Sequence, residues 1–353
     1  MKAIRFNNAE EAAAHVTHQA DPETSYVLFA SVRHVKELAE AKLPRTVLCS
    51  TAGEYSTRGY ENGVVSGFSY PTRLAEIVEI GIPPIRSLEA LEKAYSKVEA
   101  NPNAFMLLLC DGLGGTEESV LSTFFPLHPD FKIIGGSAGD NLEFQETCIY
   151  LSGRRVKNVA LLFSPTAKTH LIKENIYTPT GTTLLVTKAD ALGRRVYTFN
   201  NKPAAAEYAR VLGVEEARLA DSFIHHPLGK EYHDDIFIAS PMKVNQDRSI
   251  TFYCELMANT FVHLLKPLDS IETLTETLTQ APAKPSFVFA VHCILRSLKF
   301  QQEGLWPLTD SKLLAYCPNT TGFVSYGEQY YRRHANQTMV MLVVEGEEAA
   351  CSA

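Results

Sequence analysis

Phe131-Lys132-Ile133-Ile134 runs directly into Gly135-Gly136-Ser137-Ala138-Gly139-Asp140-Asn141. An apolar run of strand length that breaks into glycine and small polar residues reads as a buried strand carrying backbone N–H groups and a hydroxyl to the rim of a sheet. Similar strings stand elsewhere in the chain. Arg45-Thr46-Val47-Leu48 leads into Cys49-Ser50-Thr51-Ala52-Gly53-Glu54, and Phe287-Val288-Phe289-Ala290-Val291 leads to Cys293-Ile294-Leu295-Arg296. Ser325-Tyr326-Gly327-Glu328-Gln329 is followed by Asn336-Gln337-Thr338. α/β proteins build ligand sites at such rims.

The chain has 353 residues, enough for two domains of ordinary size. Its 45% hydrophobic and 21% charged residues are the mix of a globular protein. A net charge of −7, with basic residues only in short pairs such as Arg154-Arg155 and Arg332-Arg333, speaks against nucleic acid as a partner. Seven cysteines without a C-x-x-C pair read as free thiols in a reducing compartment. The start, Met1 to Asn8, has no apolar signal core, and the longest apolar stretches are strand-length. The expected location is the cytoplasm, with no membrane partner.

Strand–helix–strand units mixed with hairpins predict a mixed α/β (α+β) fold of two domains, each a mixed sheet flanked by helices. In the first half, strands are expected at Tyr26–Ala30, Thr46–Cys49, Phe105–Cys110 and Phe131–Ile134. Helices are expected over Val32–Ala41 and Leu88–Ala100, and from Thr116 through Phe125. Cys148–Leu151 and Val159–Phe163 would close one sheet. Ser164-Pro165-Thr166 is the best boundary, giving domains 1–164 and 165–353. Beyond it, Ile236-Phe237-Ile238 and Ile250–Tyr253 are expected to pair across the turn Asn245–Ser249, and the acidic tail from Glu345 to Ala353 to fray. The two halves share a loose rhythm, and no short tandem repeat is visible.

Taken in order, the four strings resemble the FIST family, with its N-terminal and C-terminal domains, from about Thr24 to Val344. The resemblance implies a sensory module of bacterial signal transduction that binds a small ligand, with amino acids as the suggested class. Ser50, Thr51, Gly136, Ser137, Asp140, Asn141, Arg296, Tyr326, Glu328 and Asn336 match its polar positions and are the candidate ligand-binding residues. Arg296 could grip a carboxylate bidentately, or pair internally with Glu328. The chain departs from the pattern at Ile238-Ala239-Ser240-Pro241, where an Arg is common, and at Leu256-Met257-Ala258-Asn259, where a Glu-Gly pair is common. Both changes make that edge less charged and suit an apolar ligand better than an anionic one.

Each constellation has a competing chemistry. Gly135-Gly136-Ser137-Ala138-Gly139 matches G-x-S-x-G, the nucleophile elbow of serine hydrolases. No long helix is expected after it, and a triad with Asp234 or Asp235 and His292 is arbitrary. Nothing beside Cys49 would lower its pKa. Of eleven histidines, His225-His226-Pro227-Leu228-Gly229 with His233-Asp234-Asp235 suggests a metal cluster, but adjacent residues in an extended segment point to opposite sides. No zinc spacing supports a metal site. Stand-alone chains of two FIST halves are similar to NosP-type haem-based nitric-oxide sensors, which makes haem-bound gas sensing the alternative expectation; no other cofactor is implied. His226 and His292 are then the axial candidates, with His263 and His334 behind them. No catalytic constellation emerges, so an output would be carried by a partner such as a histidine kinase or a cyclic-dinucleotide enzyme, and a homodimer is an ordinary expectation.

Overall fold

The computed structural model describes residues 1–18, 21–124, 128–233 and 235–346. Phe125, Asp234 and the tail beyond 346, on which three of the expectations above fall, lie outside the described residues.

One order of elements recurs three times along the chain. The first copy is β1 (Lys2–Phe6), α1 (Ala9–His18), β2 (Thr24–Ala30), α2 (Val32–Glu40), β3 (Thr46–Ser50), the hairpin β4 (Glu54–Ser56) and β5 (Gly59–Glu61), and β6 (Val65–Pro71). The second is β7 (Ala75–Ile80), α3 (Leu88–Tyr95), β8 (Phe105–Cys110), α4 (Glu117–Phe124), β9 (Lys132–Ser137), the hairpin β10 (Ile149–Leu151) and β11 (Arg154–Val156), and β12 (Asn158–Phe163).

The third begins with β13 (Thr169–Asn175) and is then interrupted. The interruption carries β14 (Tyr177–Asp190), β15 (Arg195–Phe199), β16 (Lys202–Pro203), α5 (Ala204–Leu212), β17 (Leu228–Tyr232), β18 (Asp235–Ala239), β19 (Pro241–Val244), β20 (Ile250–Phe252) and β21 (Thr260–Pro267). The copy resumes with α6 (Ser270–Gln280), β22 (Pro285–Cys293), α7 (Ile294–Glu303), α8 (Trp306–Tyr316) and β23 (Thr320–Ser325). It closes with the hairpin β24 (Glu328–Tyr330) and β25 (Arg333–Ala335), and β26 (Thr338–Glu345). The loose rhythm seen in the sequence is therefore a threefold repeat.

By packing, the chain forms two compact units. Unit one is Met1–Lys173, Leu274–Arg333 and the residues from Met339 on; unit two is Glu174–Thr273 with His334–Thr338. Neither is continuous in sequence.

Unit one carries three six-stranded sheets, ordered β1-β6-β2-β3-β10-β11, β7-β12-β8-β9-β24-β25 and β13-β26-β22-β23-β4-β5, with the last two residues of β13 and of β25 counted in unit two. All three follow one plan. The centre is a parallel pair, β2 with β3, β8 with β9, or β22 with β23. Each pair is crossed by helix, as a parallel connection requires. The last strand of the copy packs antiparallel on one side of the pair. On the other side lies a hairpin from a different copy: β10 on β3, β24 on β9, and β4 on β23. Cys148–Leu151 and Val159–Phe163, expected in one sheet, thus belong to two. The apolar faces of all three sheets share one core, where Phe29 stacks on Phe323 with ring centroids 4.5 Å apart and Phe105 on Phe163 at 4.9 Å. These rings add quadrupole contacts to the burial of large apolar area.

Unit two is a sheet ordered β18-β17-β21-β14-β15-β20-β19, with β16 on β15. Its described pairings are antiparallel. Helix α5 supplies Ala205, Tyr208 and Ala209 to its core and ends at Gly213, whose φ of +71° glycine adopts without a Cβ penalty. The expected pairing of Ile236–Ile238 with Ile250–Tyr253 is corrected. The turn stands, with Asn245 N donating to Ser249 O at 2.8 Å, but the strand entering it is β19, and β18 pairs with β17 instead. A short turn joins the residues next to it, and the more apolar run lies one strand further back.

Candidate functional site

The polar-glycine strings meet at the C-terminal ends of the parallel strands in unit one, where each chain leaves its own sheet for a neighbouring one. Ser50, Ser137 and Val324 hold equivalent places. Their N–H groups donate to Cys148 O, Gly327 O and Gly53 O at 2.9, 2.9 and 2.8 Å. Their carbonyls accept from Gly139 N, Tyr326 N and Ala52 N at 3.0, 3.0 and 2.9 Å. The two sets of bonds link the first copy to the third, the third to the second and the second to the first, so the crossings close into a ring.

Side chains reinforce the ring. Thr51 Oγ1 donates to Glu54 Oε1 at 2.7 Å, and Ser325 Oγ donates to Glu328 Oε1 at 2.8 Å. Copy two has Ala138 in place of the hydroxyl and Ile149 in place of the acid, reached after a longer excursion through Asn141–Thr147. There Asp140 takes over. Its carboxylate accepts from the Tyr326 hydroxyl and from the N–H groups of Phe144, Gln145 and Glu146. Burial would raise its pKa, yet these donors hold it below the ordinary carboxylate range. Glu54 behaves the other way. Burial lifts it to about 7, against the bonds from Thr51 and from Gly63 N.

Nearly all the expected unit-one residues therefore lie inside this ring or against it. Ser50, Thr51, Ser137, Asp140, Arg296, Tyr326 and Glu328 are buried, while Asn141 is exposed. Ser50 Oγ accepts from Cys148 N at 3.0 Å. Gly136 is a packing position: a Cβ there would stand 2.6 Å from Phe323 Cζ and 2.7 Å from Val291 Cγ1. Ser137 ends β9 without entering a helix, and its Oγ donates to Glu117 Oε1 at 2.9 Å and accepts from Gln329 Nε2 at 3.2 Å. A nucleophile elbow needs an exposed hydroxyl facing a histidine. Ser137 is fully buried and, among the described residues, no histidine bonds it, so the hydrolase alternative is set aside. Glu117 stands in none of the quoted strings, and Ser325 and Gln329 stand in one without being among the candidate ligand-binding residues. Only Ser325 carries a legible signal, since Ser325-Tyr326-Gly327-Glu328 repeats the pattern of Thr51-Ala52-Gly53-Glu54.

Arg296, in the first turn of α7, is fully buried. Its Nη1 lies 2.9 Å from His292 Nδ1, and its guanidinium covers the Phe300 ring at 4.2 Å. Arginine only donates, so His292 Nδ1 accepts and the proton of the neutral ring sits on Nε2. Burial first, and the Arg296 charge second, push His292 well below its usual pKa. Its ring is packed by Tyr55 and Trp306 with centroids at 4.8 and 5.1 Å. A protonated Nε2 walled by two aromatic rings does not fit axial haem ligation. His226, in unit two, fits better. Its Nδ1 lies 3.2 Å from the Leu265 carbonyl, an acceptor only, which leaves Nε2 as the bare nitrogen. Of the histidines behind them, His263 Nε2 meets Glu231 Oε2 at 2.9 Å. Among the described residues no three His, Cys, Asp or Glu side chains form a metal-binding group; Asp234 lies outside them.

Asn336 belongs to unit two. Beside it, Gln337 is tied on both sides: Oε1 accepts from Ser240 Oγ at 2.6 Å, and Nε2 donates to Tyr177 Oη at 2.7 Å and Ile224 O at 2.9 Å. Asn336 is 1% exposed, yet neither end of its carboxamide has a hydrogen-bond partner among the described residues. Both ring nitrogens of the buried His334 are in the same condition. Buried polar atoms are ordinarily paired, so each such exception calls for an explanation, a bound water or ligand among them.

The FIST N domain model matches residues 25–202 and the FIST C domain model matches residues 204–331. The chain belongs to the FIST family, whose domains are small-ligand-binding modules of signal transduction. A search of curated proteins gives no match. Among the described residues no helix is long and apolar enough to cross a membrane.

Proposed function

We propose that this protein binds an amino-acid-like ligand at Asn336 and passes its ligand state to a separate signalling protein. The carboxamide of Asn336 carries the reading. Its Nδ2 offers donors suited to a carboxylate and its Oδ1 an acceptor suited to an ammonium, and an α-amino acid places those two groups side by side. Leaving both ends unpaired in a buried site costs about 1–3 kcal/mol each, which a matching ligand would recover. Gln337, held by three bonds, fixes the backbone beside it. The ring residues from Ser50 to Glu328 serve as the frame that holds unit one together.

The ligand must favour one conformation of the chain over another for any signal to pass. The partner is proposed to be a histidine kinase or a cyclic-dinucleotide enzyme of the cytoplasm, engaged by a monomer or homodimer. Thermal-shift screening against the common amino acids tests the binding step. The expected result is a raised Tm with particular amino acids that vanishes in Asn336→Ala. A shift that survives Asn336→Ala, or none with any amino acid, refutes it. Arg296→Ala is a poor probe, because removing a fully buried side chain unfolds before it reports binding.

A second reading rests on the Nδ1 contact of His226. Haem would be held by His226 Nε2, and the bound iron would supply gas binding. A Soret band that appears with haemin and is lost in His226→Ala supports it; no saturable haemin binding removes it.

A further inference from the structure

In unit one a cavity of about 640 Å³ opens at the other end of the parallel strands, where β22 begins and β26 ends. It is bordered by the starting segments of all three copies: Met1 ahead of β1, Ala75 at the head of β7 and Ala167 ahead of β13. Val98 from the turn after α3 and Leu162 from β12 add buried apolar wall, and Pro165 and Val344 extend it. Asn101 and Asn103 pin the 164–166 segment at its edge through bonds of 2.9 Å to Ser164 Oγ, Pro165 O and Thr166 O. Its volume is that of a small-molecule site, and its lining mixes polar and apolar side chains.

Four charged side chains line it: Arg73, Glu76, Lys97 and Glu345. Lys97 Nζ lies 2.8 Å from Glu76 Oε2, and Glu345 Oε1 lies 2.6 Å from His170 Nε2. The remaining charged side chain, Arg73, is exposed and makes no ion pair or side-chain hydrogen bond among the described residues. One uncommitted guanidinium beside the apolar side chains of Val98, Leu162, Pro165 and Val344 suits an anionic head carried on a partly apolar body.

We propose that this cavity binds a small amphipathic monoanion, such as a carboxylate with an aliphatic or aromatic body, with Arg73 holding the headgroup. The site is separate from Asn336 and stands whether or not the amino-acid reading does. A ligand seated there touches all three copies of the repeat at once.

Titration of the full chain with anilinonaphthalene sulfonate, an amphipathic fluorescent monoanion, tests the assignment. Saturable fluorescence is expected, displaced by octanoate but not by octanol at equal concentration. Arg73→Ala should weaken the binding about tenfold, as the loss of one charge-assisted contact. Thr166→Trp should block it at the mouth, and Asn336→Ala should leave it unchanged. Arg73 and Thr166 are exposed, so both variants keep the fold, which circular dichroism checks. Fluorescence indifferent to both Arg73→Ala and Thr166→Trp overturns the site. Equal displacement by octanol overturns the anion class, and loss of binding in Asn336→Ala overturns the separation of the two sites.

Discussion

Thr51 and Ser325 make one and the same bond in different copies of the repeat: each hydroxyl donates to the carboxylate three residues further on, at 2.7 and 2.8 Å. Thr51-Ala52-Gly53-Glu54 and Ser325-Tyr326-Gly327-Glu328 are thus two versions of a crossing, and both turn the chain out of its own sheet. The carboxylate that receives the bond is also the first residue of the outgoing hairpin. The hydroxyl therefore couples the end of one sheet to the beginning of a contribution to another.

Removing that hydroxyl should cost stability. Thr51→Val keeps the shape and leaves Glu54 one donor short in a buried site, a loss of about 1–3 kcal/mol. The urea midpoint measures it, and an unchanged midpoint would show that the bond is idle.

Glu54 makes stability depend on pH near neutrality. Its pKa is about 7 in the folded chain against an ordinary 4.5, so the folded state binds the proton more tightly. Below about 4.5 both states are protonated and nothing is lost. As pH rises towards 7 the unfolded chain releases its proton first, and stability falls by on the order of 3 kcal/mol. Asp310, raised to about 6 by burial, acts in the same direction. Urea midpoints at about pH 5.5 and 8 should differ in the natural chain and differ less in Glu54→Gln. Equal pH dependence in both would sink the assignment.

Gly136 should tolerate no side chain. Its Cβ would meet Phe323, Val291 and Ser325 within 2.9 Å, so Gly136→Ala should destabilise by about 1–3 kcal/mol through overpacking. Ligand affinity, measured where the variant remains folded, should hold. A stable Gly136→Ala with lost binding would return this glycine to the ligand contacts.

Asn336 should trade stability against binding. Asn336→Leu removes a buried carboxamide that has no partner among the described residues and should raise the apo Tm, while abolishing any shift with amino acids. A lower apo Tm would mean that the carboxamide is satisfied within the fold.

The strands and helices of unit one were legible because they are buried apolar runs and amphipathic spacings, as in Phe105–Cys110 and Val32–Glu40. The repeat was hidden by two interruptions. Copy two replaces the hydroxyl–glycine–acid pattern with Ala138 and an excursion to Ile149, and copy three is split by unit two between β13 and α6. The exchange of hairpins could not be read at all, since nothing local to Glu54 announces that it will lie opposite Phe323. The rim residues were found as polar groups in apolar surroundings, but burial decides whether such groups face a ligand or each other. Asn336 carries the same carboxamide group as its neighbour Gln337, and only the hydrogen bonds each makes separate them.

The exchanged hairpins also bear on how the chain is made. A ribosome that has released only the first copy holds β3 with an open edge, awaiting Ile149–Leu151, and β4 paired only with β5 until Phe323 emerges. Such distant pairings are slow to form and leave strand edges exposed while synthesis continues. Nascent chains stalled before β23 should therefore be the ones that chaperones hold.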